Sequence, residues 1–164
     1  MQEVWCAADR HNEGCSILVS TMQEVCITGD IVMHTKRIGK IAEMRVAAKL
    51  LELGYDVFLA ATEDLPVDMV AYVDGEFIRI QVKSRIPKDN VIHVELYSST
   101  QKYRKQYTVE DVDWVILYDP SSDHGYKIDL HLISDQKSIC LRTGGYTKNN
   151  QYANVHLAEQ YMIF

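Results

Sequence analysis

The nineteen residues from Pro66 to Ser84, PVDMVAYVDGEFIRIQVKS, constrain the fold of this chain more than any other stretch. Two runs rich in β-branched and aromatic residues flank the dipeptide Asp74-Gly75, which is the strongest short-range signal for a two-residue β-hairpin. A turn of this kind fixes the pairing register of both strands. Counting outward from the turn places Asp68 opposite Gln81.

Three polar side chains are therefore expected at the open end of the hairpin. Directly opposed residues have Cβ atoms about 5 Å apart. Because alternate side chains share a face, Lys83 lies diagonally across from Asp68 on the same face as Gln81. This set has two interpretations, a cross-strand ion pair on a solvated sheet face or a functional site. The opposite face of the second strand is apolar and holds Ile78, Ile80 and Val82.

A helix predicted over residues 36–53 carries a fourth candidate, Glu43. At helical spacing Glu43 shares a stripe with three apolar residues, Ala47, Leu50 and Leu51. A carboxylate beside an apolar face is unusual without a partner. Glu43 either reaches water at the boundary of that face, or pairs with Lys40 or Arg45 on the same helix, or holds a cation jointly with Asp68.

The remaining chain reads mainly as strands separated by turn residues. Strands are predicted over 55–60, 67–73, 76–83, 91–97, 113–118, 126–133 and 138–142, and a short helix over 155–161. Residues 98–107 are predicted as a polar, basic segment without an assigned element. This order favours one α/β domain built around a mixed sheet.

The motif residues resemble the PD-(D/E)XK nuclease superfamily, and in particular its branch of group I intron-encoded homing endonucleases. The likeness rests on Glu43, on the segment Pro66–Asp68 and on Gln81-Val82-Lys83, which is a QxK variant of a motif that usually has an acid in place of Gln81. It runs from about residue 36 to the C-terminus. The resemblance implies a restriction-endonuclease-like core, with a mixed β-sheet flanked by helices.

The resemblance also implies an endodeoxyribonuclease that depends on Mg²⁺, with Mn²⁺ as a possible substitute. The implied catalytic residues are Glu43, Asp68, Gln81 and Lys83. The implied metal ligands are the side chains of Asp68, Glu43 and Gln81 and the backbone carbonyl of Val82, all oxygen donors of the kind that hard cations prefer. Nearby carboxylates keep Lys83 protonated, which favours an electrostatic role over general-base catalysis.

Charge distribution bears on the expected partner, double-stranded DNA. The net charge of −6 opposes phosphate binding, but residues 79–105 hold seven basic and two acidic residues. The residues expected to contact DNA are Lys36, Arg37, Lys40, Arg85, Lys88, Lys102, Tyr103, Arg104 and Lys105. Tyr107 also suits sugar-phosphate contact. The alternative for residues 98–107 is a solvated loop with one tyrosine packed back onto the protein.

The expected domain boundary follows residue 32. Residues 1–32 are interpreted as an N-terminal extension of unknown role and residues 33–164 as the nuclease-like domain. The four cysteines are expected to be free thiols. A zinc site formed by Cys6, His11, Cys15 and Cys26 is an alternative, although its spacing matches no standard finger. With neither a signal sequence nor a long apolar run in the sequence, a cytoplasmic, nucleoid-associated protein without a membrane partner is expected.

The sequence is also compatible with other functions. A single small chain that reads a long DNA target needs symmetry, so a homo-oligomer, either a dimer or a tetramer, is expected. A Holliday junction resolvase and a restriction-type or repair-type nuclease are alternatives within the nucleases. A DNA-binding module without catalysis is an alternative of another class, favoured by Gln81 and by the acidic net charge.

Overall fold

The computed structural model describes residues 24–26, 32–62, 65–99, 104–133, 136–145 and 155–164. The chain divides into two compact units, residues 1–35 and residues 36–164. In the first unit, strand β1 (Glu24–Cys26) pairs antiparallel with strand β2 (Val32–His34). The sequence pattern predicts no element in residues 1–32, so β1 is an addition to the expected strands. In the described part of the chain, no helix has the length and apolarity needed to cross a membrane.

Helix α1 (Thr35–Glu52) agrees with the predicted helix to within one residue at each end. It ends because Gly54 adopts the left-handed conformation, with φ of +87°. The N–H of Gly54 donates to the carbonyl of Leu51 at 2.9 Å, and the N–H of Tyr55 donates to that of Leu50 at 3.0 Å. Leu51 was predicted to share the apolar stripe but is 56% exposed, because α1 buries a neighbouring face made of Ala42, Val46, Ala47 and Leu50.

The main sheet has five strands in the order β10-β9-β5-β4-β3. The β5–β9 pair is parallel and the other pairs are antiparallel, so the sheet is mixed, as predicted. The strands are β3 (Asp56–Leu59), β4 (Met69–Val73), β5 (Glu76–Ser84), β9 (Trp114–Asp119) and β10 (His124–Asp129).

A second sheet of three strands has the order β12-β11-β6, and a separate hairpin joins β7 to β8. These strands are β6 (Val91–Glu95), β7 (Tyr97–Ser99), β8 (Arg104–Gln106), β11 (Ser138–Arg142) and β12 (Val155–Leu157). The prediction of a helix over residues 155–161 is wrong in its first half. Residues Val155–Leu157 pair in parallel with β11, and only Ala158–Tyr161 form a 3₁₀ helix.

The main sheet is covered on both faces, as the side chains of its strand β9 show. Ile116 and Tyr118 point to one side, where they pack with α1, while Val115 and Leu117 point to the other side. There they pack against residues of the second sheet, among them Ile92, Val94, Ile139 and Leu141. The sequence predicted flanking helices; among the described residues one α-helix covers one face, and the smaller sheet covers the other.

Candidate active site

The hairpin of β4 and β5 has the predicted register. Val73 pairs with Glu76, and Met69 pairs with Ile80. The two-residue turn takes positive φ at both positions, 51° at Asp74 and 92° at Gly75, which is the geometry that favours glycine at such turns. Asp68 immediately precedes β4, and its N–H donates to the carbonyl of Ile80 at 2.9 Å.

The carboxylate of Asp68 is bonded to the end of β5 through two donors. Oδ2 accepts the backbone N–H of Val82 at 2.7 Å and also accepts the side-chain amide of Gln81. The same amide nitrogen lies 3.2 Å from the carbonyl oxygen of Val82. A carboxylate oxygen and a carbonyl oxygen therefore converge on one point, which the Gln81 amide nitrogen occupies.

The environment of Asp68 favours its protonated form more than water does. Its pKa is raised to about 6, chiefly because the side chain is largely buried. The hydrogen bond from Val82 lowers this pKa, the negative charge of Glu43 raises it, and the positive charges of Lys83 and Lys40 lower it. Both Glu43 and Lys83 are thus near enough to Asp68 to act on its charge.

Lys83 is half-buried on β5 beside this carboxylate. Its ammonium group donates to the backbone carbonyl of Tyr97 at 3.1 Å and lies 5.1 Å from the ring centroid of Tyr107. Burial lowers the pKa of Lys83, as does the nearby charge of Arg85, whereas Asp68 raises it. The lysine is therefore held by groups outside its own hairpin.

Glu43 lies at the edge of the buried face of α1, with 18% of its side chain exposed. Its carboxylate forms an ion pair with Lys40 at 2.7 Å, which is one of the alternatives that the sequence left open. Within the described residues, no three His, Cys, Asp or Glu side chains cluster in a way that could hold a metal. Any cation at Asp68 would therefore need neutral oxygen donors in addition to carboxylates.

The residues expected to contact DNA are spread over several elements. Lys36, Arg37 and Lys40 are exposed on α1, while Arg85, Lys88 and Lys105 are exposed after β5 and in β8. Lys105 forms an ion pair with Asp111 at 2.7 Å. Lys102 and Tyr103 lie outside the described residues, and Arg104 belongs to β8 without a described side chain.

Some residues have positions or contacts that the sequence did not predict. Arg45 lines a surface groove on α1 together with Arg37, Lys40, Ile41 and Met44. Tyr107 was considered for DNA contact, but it is buried with 5% exposure, as in the alternative of one tyrosine packed back. No local sequence signal identifies the carbonyl of Tyr97, since any residue offers one. Its part in the site depends on tertiary structure.

The cysteines add no site among the described side chains. Cys140 is a free, partly buried thiol whose pKa is raised by burial. Of the alternative zinc ligands, Cys6, His11 and Cys15 lie outside the described residues, and Cys26 belongs to β1 without a described side chain.

Comparisons with known proteins bear on the family and the fold of the chain. The family model of the PD-(D/E)XK endonuclease matches residues 33–164. Among solved structures, a bacterial homing endonuclease, I-Ssp6803I, matches with a TM-score of 0.58 and 21% identity, over 78% of this chain and 88% of that one. No curated protein matched the chain. Since the family model covers most of its length, the chain belongs to the PD-(D/E)XK endonuclease family.

Proposed function

We propose that this chain is a Mg²⁺-dependent endonuclease that hydrolyses phosphodiester bonds of double-stranded DNA at specific sites, in the manner of a homing endonuclease. The observation that carries the proposal is the convergence of the Asp68 carboxylate and the Val82 carbonyl on one point, with Lys83 half-buried beside it. Family membership supports the nuclease activity. The homing endonuclease I-Ssp6803I shares the fold.

The oxygen donors at this point fit a small divalent cation. Asp68 and the Val82 carbonyl would bind it directly, and Gln81 would add its amide oxygen after turning the amide over, since its nitrogen now faces the two oxygens. Glu43 would add the second negative charge. When bound, Mg²⁺ (or Mn²⁺ in its place) supplies Lewis-acid polarisation of the phosphoryl oxygens.

Lys83 would act on the scissile phosphate by its positive charge. Negative charge develops on the phosphoryl oxygens in the transition state, and a fixed ammonium group in a partly dehydrated site stabilises that charge. The half-buried position of Lys83 strengthens this interaction, because water screens it less. Burial lowers the pKa of Lys83 overall, and the Asp68 carboxylate opposes this shift by favouring the charged ammonium group.

DNA contact would come from the exposed basic residues on α1 and after β5, including Arg37 and Arg85. Arg37, Lys40 and Arg45 border one surface groove on α1, and their positive charges support this proposal. A homo-oligomer, either a dimer or a tetramer, would let one small domain read a long target. Such an enzyme would work at the nucleoid.

The proposed site is tested by Asp68→Asn and Lys83→Ala. Each variant should lower Mg²⁺-dependent cleavage of plasmid DNA by at least about a hundredfold. Asp68→Asn removes the negative charge that would bind the cation, and Lys83→Ala removes the positive charge that would act on the phosphate. Folding and DNA affinity, measured by thermal unfolding and by mobility shift in EDTA, should change little. The matched controls are Asp56→Asn on the exposed edge strand β3 and Lys127→Ala, a lysine of β10 that also lies over an aromatic ring, that of Trp114. Full activity in either site variant would refute the assignment.

A second experiment separates the proposed function from its alternatives. Purified protein is incubated with plasmids and with synthetic four-way junctions, in Mg²⁺, Mn²⁺ or EDTA, and the product ends are mapped. Unique ends support a site-specific enzyme. Cleavage of four-way junctions regardless of sequence identifies a junction resolvase instead. Tight DNA binding without cleavage in either metal would indicate a non-catalytic module.

A further inference from the structure

We propose that Tyr107 is a positioning residue for Lys83: its aromatic ring holds the lysine ammonium group at the end of β5, beside Asp68. This inference rests on the proposed function of the site, because the catalytic value of a fixed ammonium depends on Lys83 acting on the phosphate. Tyr107 itself would contact Lys83 and not the reacting atoms.

The contact is part of a fixed arrangement at the base of the β7–β8 hairpin. The ammonium of Lys83 donates to the carbonyl of Tyr97, the first residue of β7, and lies over the ring of Tyr107, the first residue after β8. Tyr97 pairs with Gln106, and the N–H of Tyr107 donates to the carbonyl of Leu96 at 3.0 Å. One backbone ladder therefore fixes both groups that hold the lysine.

The tyrosine ring is itself buried in the core. Tyr107 is 5% exposed and packs in the core cluster that contains Val115, Leu117 and Ile139. Burial and the negative charge of Asp68 both raise the pKa of its hydroxyl, so Tyr107 stays neutral and offers Lys83 the negative face of its ring. A lysine side chain has a flexible four-carbon stem, so a rigid partner of this kind decides where its charge sits.

Tyr107→Phe and Tyr107→Leu distinguish a role of the aromatic ring from a role of the hydroxyl. Phenylalanine keeps the ring face, so Tyr107→Phe should cleave DNA within about threefold of the natural protein. Leucine removes the ring face, so Tyr107→Leu should slow single-turnover cleavage at saturating DNA by about tenfold or more, as expected for loss of a partly desolvated cation–π contact. DNA affinity in EDTA should stay unchanged in both variants.

The control for lost core volume is Tyr126→Leu. Tyr126 is a tyrosine of the same core cluster with 2% exposure, and its ring contacts His124 instead of a lysine. Tyr126→Leu should lower the midpoint of thermal unfolding by as much as Tyr107→Leu while keeping its cleavage rate. Equal slowing in Tyr107→Leu and Tyr126→Leu, or equal slowing in Tyr107→Phe and Tyr107→Leu, would overturn the proposal.

A measurement that needs no nuclease activity distinguishes failure of this inference from failure of the proposed function. The ε-methylene protons of Lys83, assigned in NMR spectra by comparison with Lys83→Arg, should be shifted upfield by the ring current of Tyr107. The shift should persist in Tyr107→Phe and disappear in Tyr107→Leu. If the natural protein shows the shift but cleaves no DNA, the proposed function fails and the contact stands. If the shift is absent, the contact is refuted whatever the activity.

Discussion

Gln81 occupies the position at which the family name, PD-(D/E)XK, puts an acid. Its amide nitrogen lies between the carboxylate of Asp68 and the carbonyl of Val82. The positive end of the amide dipole thus binds the two oxygens that would otherwise repel each other. The terminal torsion of a glutamine side chain is soft, so the amide can turn and present its oxygen to a cation at little cost.

Replacing Gln81 by glutamate should lower the stability of the metal-free protein and raise its affinity for metal. Gln81→Glu puts a second carboxylate against Asp68 and removes an amide donor, so it should destabilise the protein in EDTA by about 1 kcal/mol or more. The added charge should tighten Mg²⁺ binding in calorimetric titration and enlarge the rise in unfolding midpoint on adding Mg²⁺. Gln106→Glu in β8, where the amide donates to the carbonyl of Gln136 at an exposed position, is the control. Equal stability of the natural protein and Gln81→Glu in EDTA would contradict this account of the amide.

At the scale of elements, β5 is anchored to the loop that leads into β9. The carboxylate of Asp113 accepts the backbone N–H of Arg79 at 2.8 Å, its Nε at 2.9 Å and its Nη2 at 2.8 Å. The guanidinium group also donates to the carbonyls of Val109 and Glu110. Arg79 belongs to the basic stretch 79–105, but its contacts are within the protein. They stabilise the parallel β5–β9 pair that carries Gln81 and Lys83.

The anchor should make the protein sensitive to acid. Hydrogen bonds from Arg79, with a smaller contribution from His131, lower the pKa of Asp113 to about 2 from its ordinary value near 3.8. A carboxyl whose pKa is depressed in the folded state adds stability above its ordinary pKa and loses that stability as the pH falls through the folded value. Since Arg79 is partly exposed, the contribution is about 1–2 kcal/mol. Urea unfolding at several pH values should show this loss between about pH 4 and pH 2.

The variant Asp113→Asn isolates that contribution. It should be less stable at neutral pH, and its stability should fall less steeply in acid than that of the natural protein. Asp56→Asn, which changes an exposed carboxylate of β3, should keep the natural pH dependence. Parallel stability curves for the natural protein and Asp113→Asn would show that the carboxylate does not carry the acid sensitivity.

Local sequence signals were sufficient for some elements and insufficient for others. The Asp74-Gly75 turn determined the register of the hairpin and hence the contact of Asp68 with Gln81, because both residues lie close to the turn in sequence. The strand at Val155–Leu157 was predicted as helix, since its structure comes from pairing with β11. For the same reason the sequence could not identify Tyr107 and the carbonyl of Tyr97 as partners of Lys83. Both lie at the base of the β7–β8 hairpin, and their contact with Lys83 depends on how that hairpin packs against β5.

At the scale of the whole molecule, the covering layers of the main sheet leave an aromatic cluster in solvent. Phe58, Tyr72 and Phe77 come from β3, β4 and β5 at the edge of the sheet, and they are 54%, 40% and 65% exposed. The ring of Phe77 contacts both others, with centroid distances of 6.0 Å to Phe58 and 4.9 Å to Tyr72. A contiguous exposed aromatic cluster of this kind favours association with another protein surface.

A second copy of this chain is the partner we expect on the cluster of Phe58, Tyr72 and Phe77, because the proposed function includes a homo-oligomer. Phe77→Lys puts a charge at the ring that contacts both others, so it should shift the protein from dimer or tetramer to monomer in sedimentation equilibrium. Leu132→Lys is the control, since Leu132 is 83% exposed but lies outside the cluster. It should keep the natural mass. A natural protein that is monomeric at all concentrations, or a Phe77→Lys variant with unchanged mass, would exclude the aromatic cluster as the oligomer interface.

Monomeric Phe77→Lys should also cleave a long symmetric target more slowly, because each copy would then have to find its half-site independently.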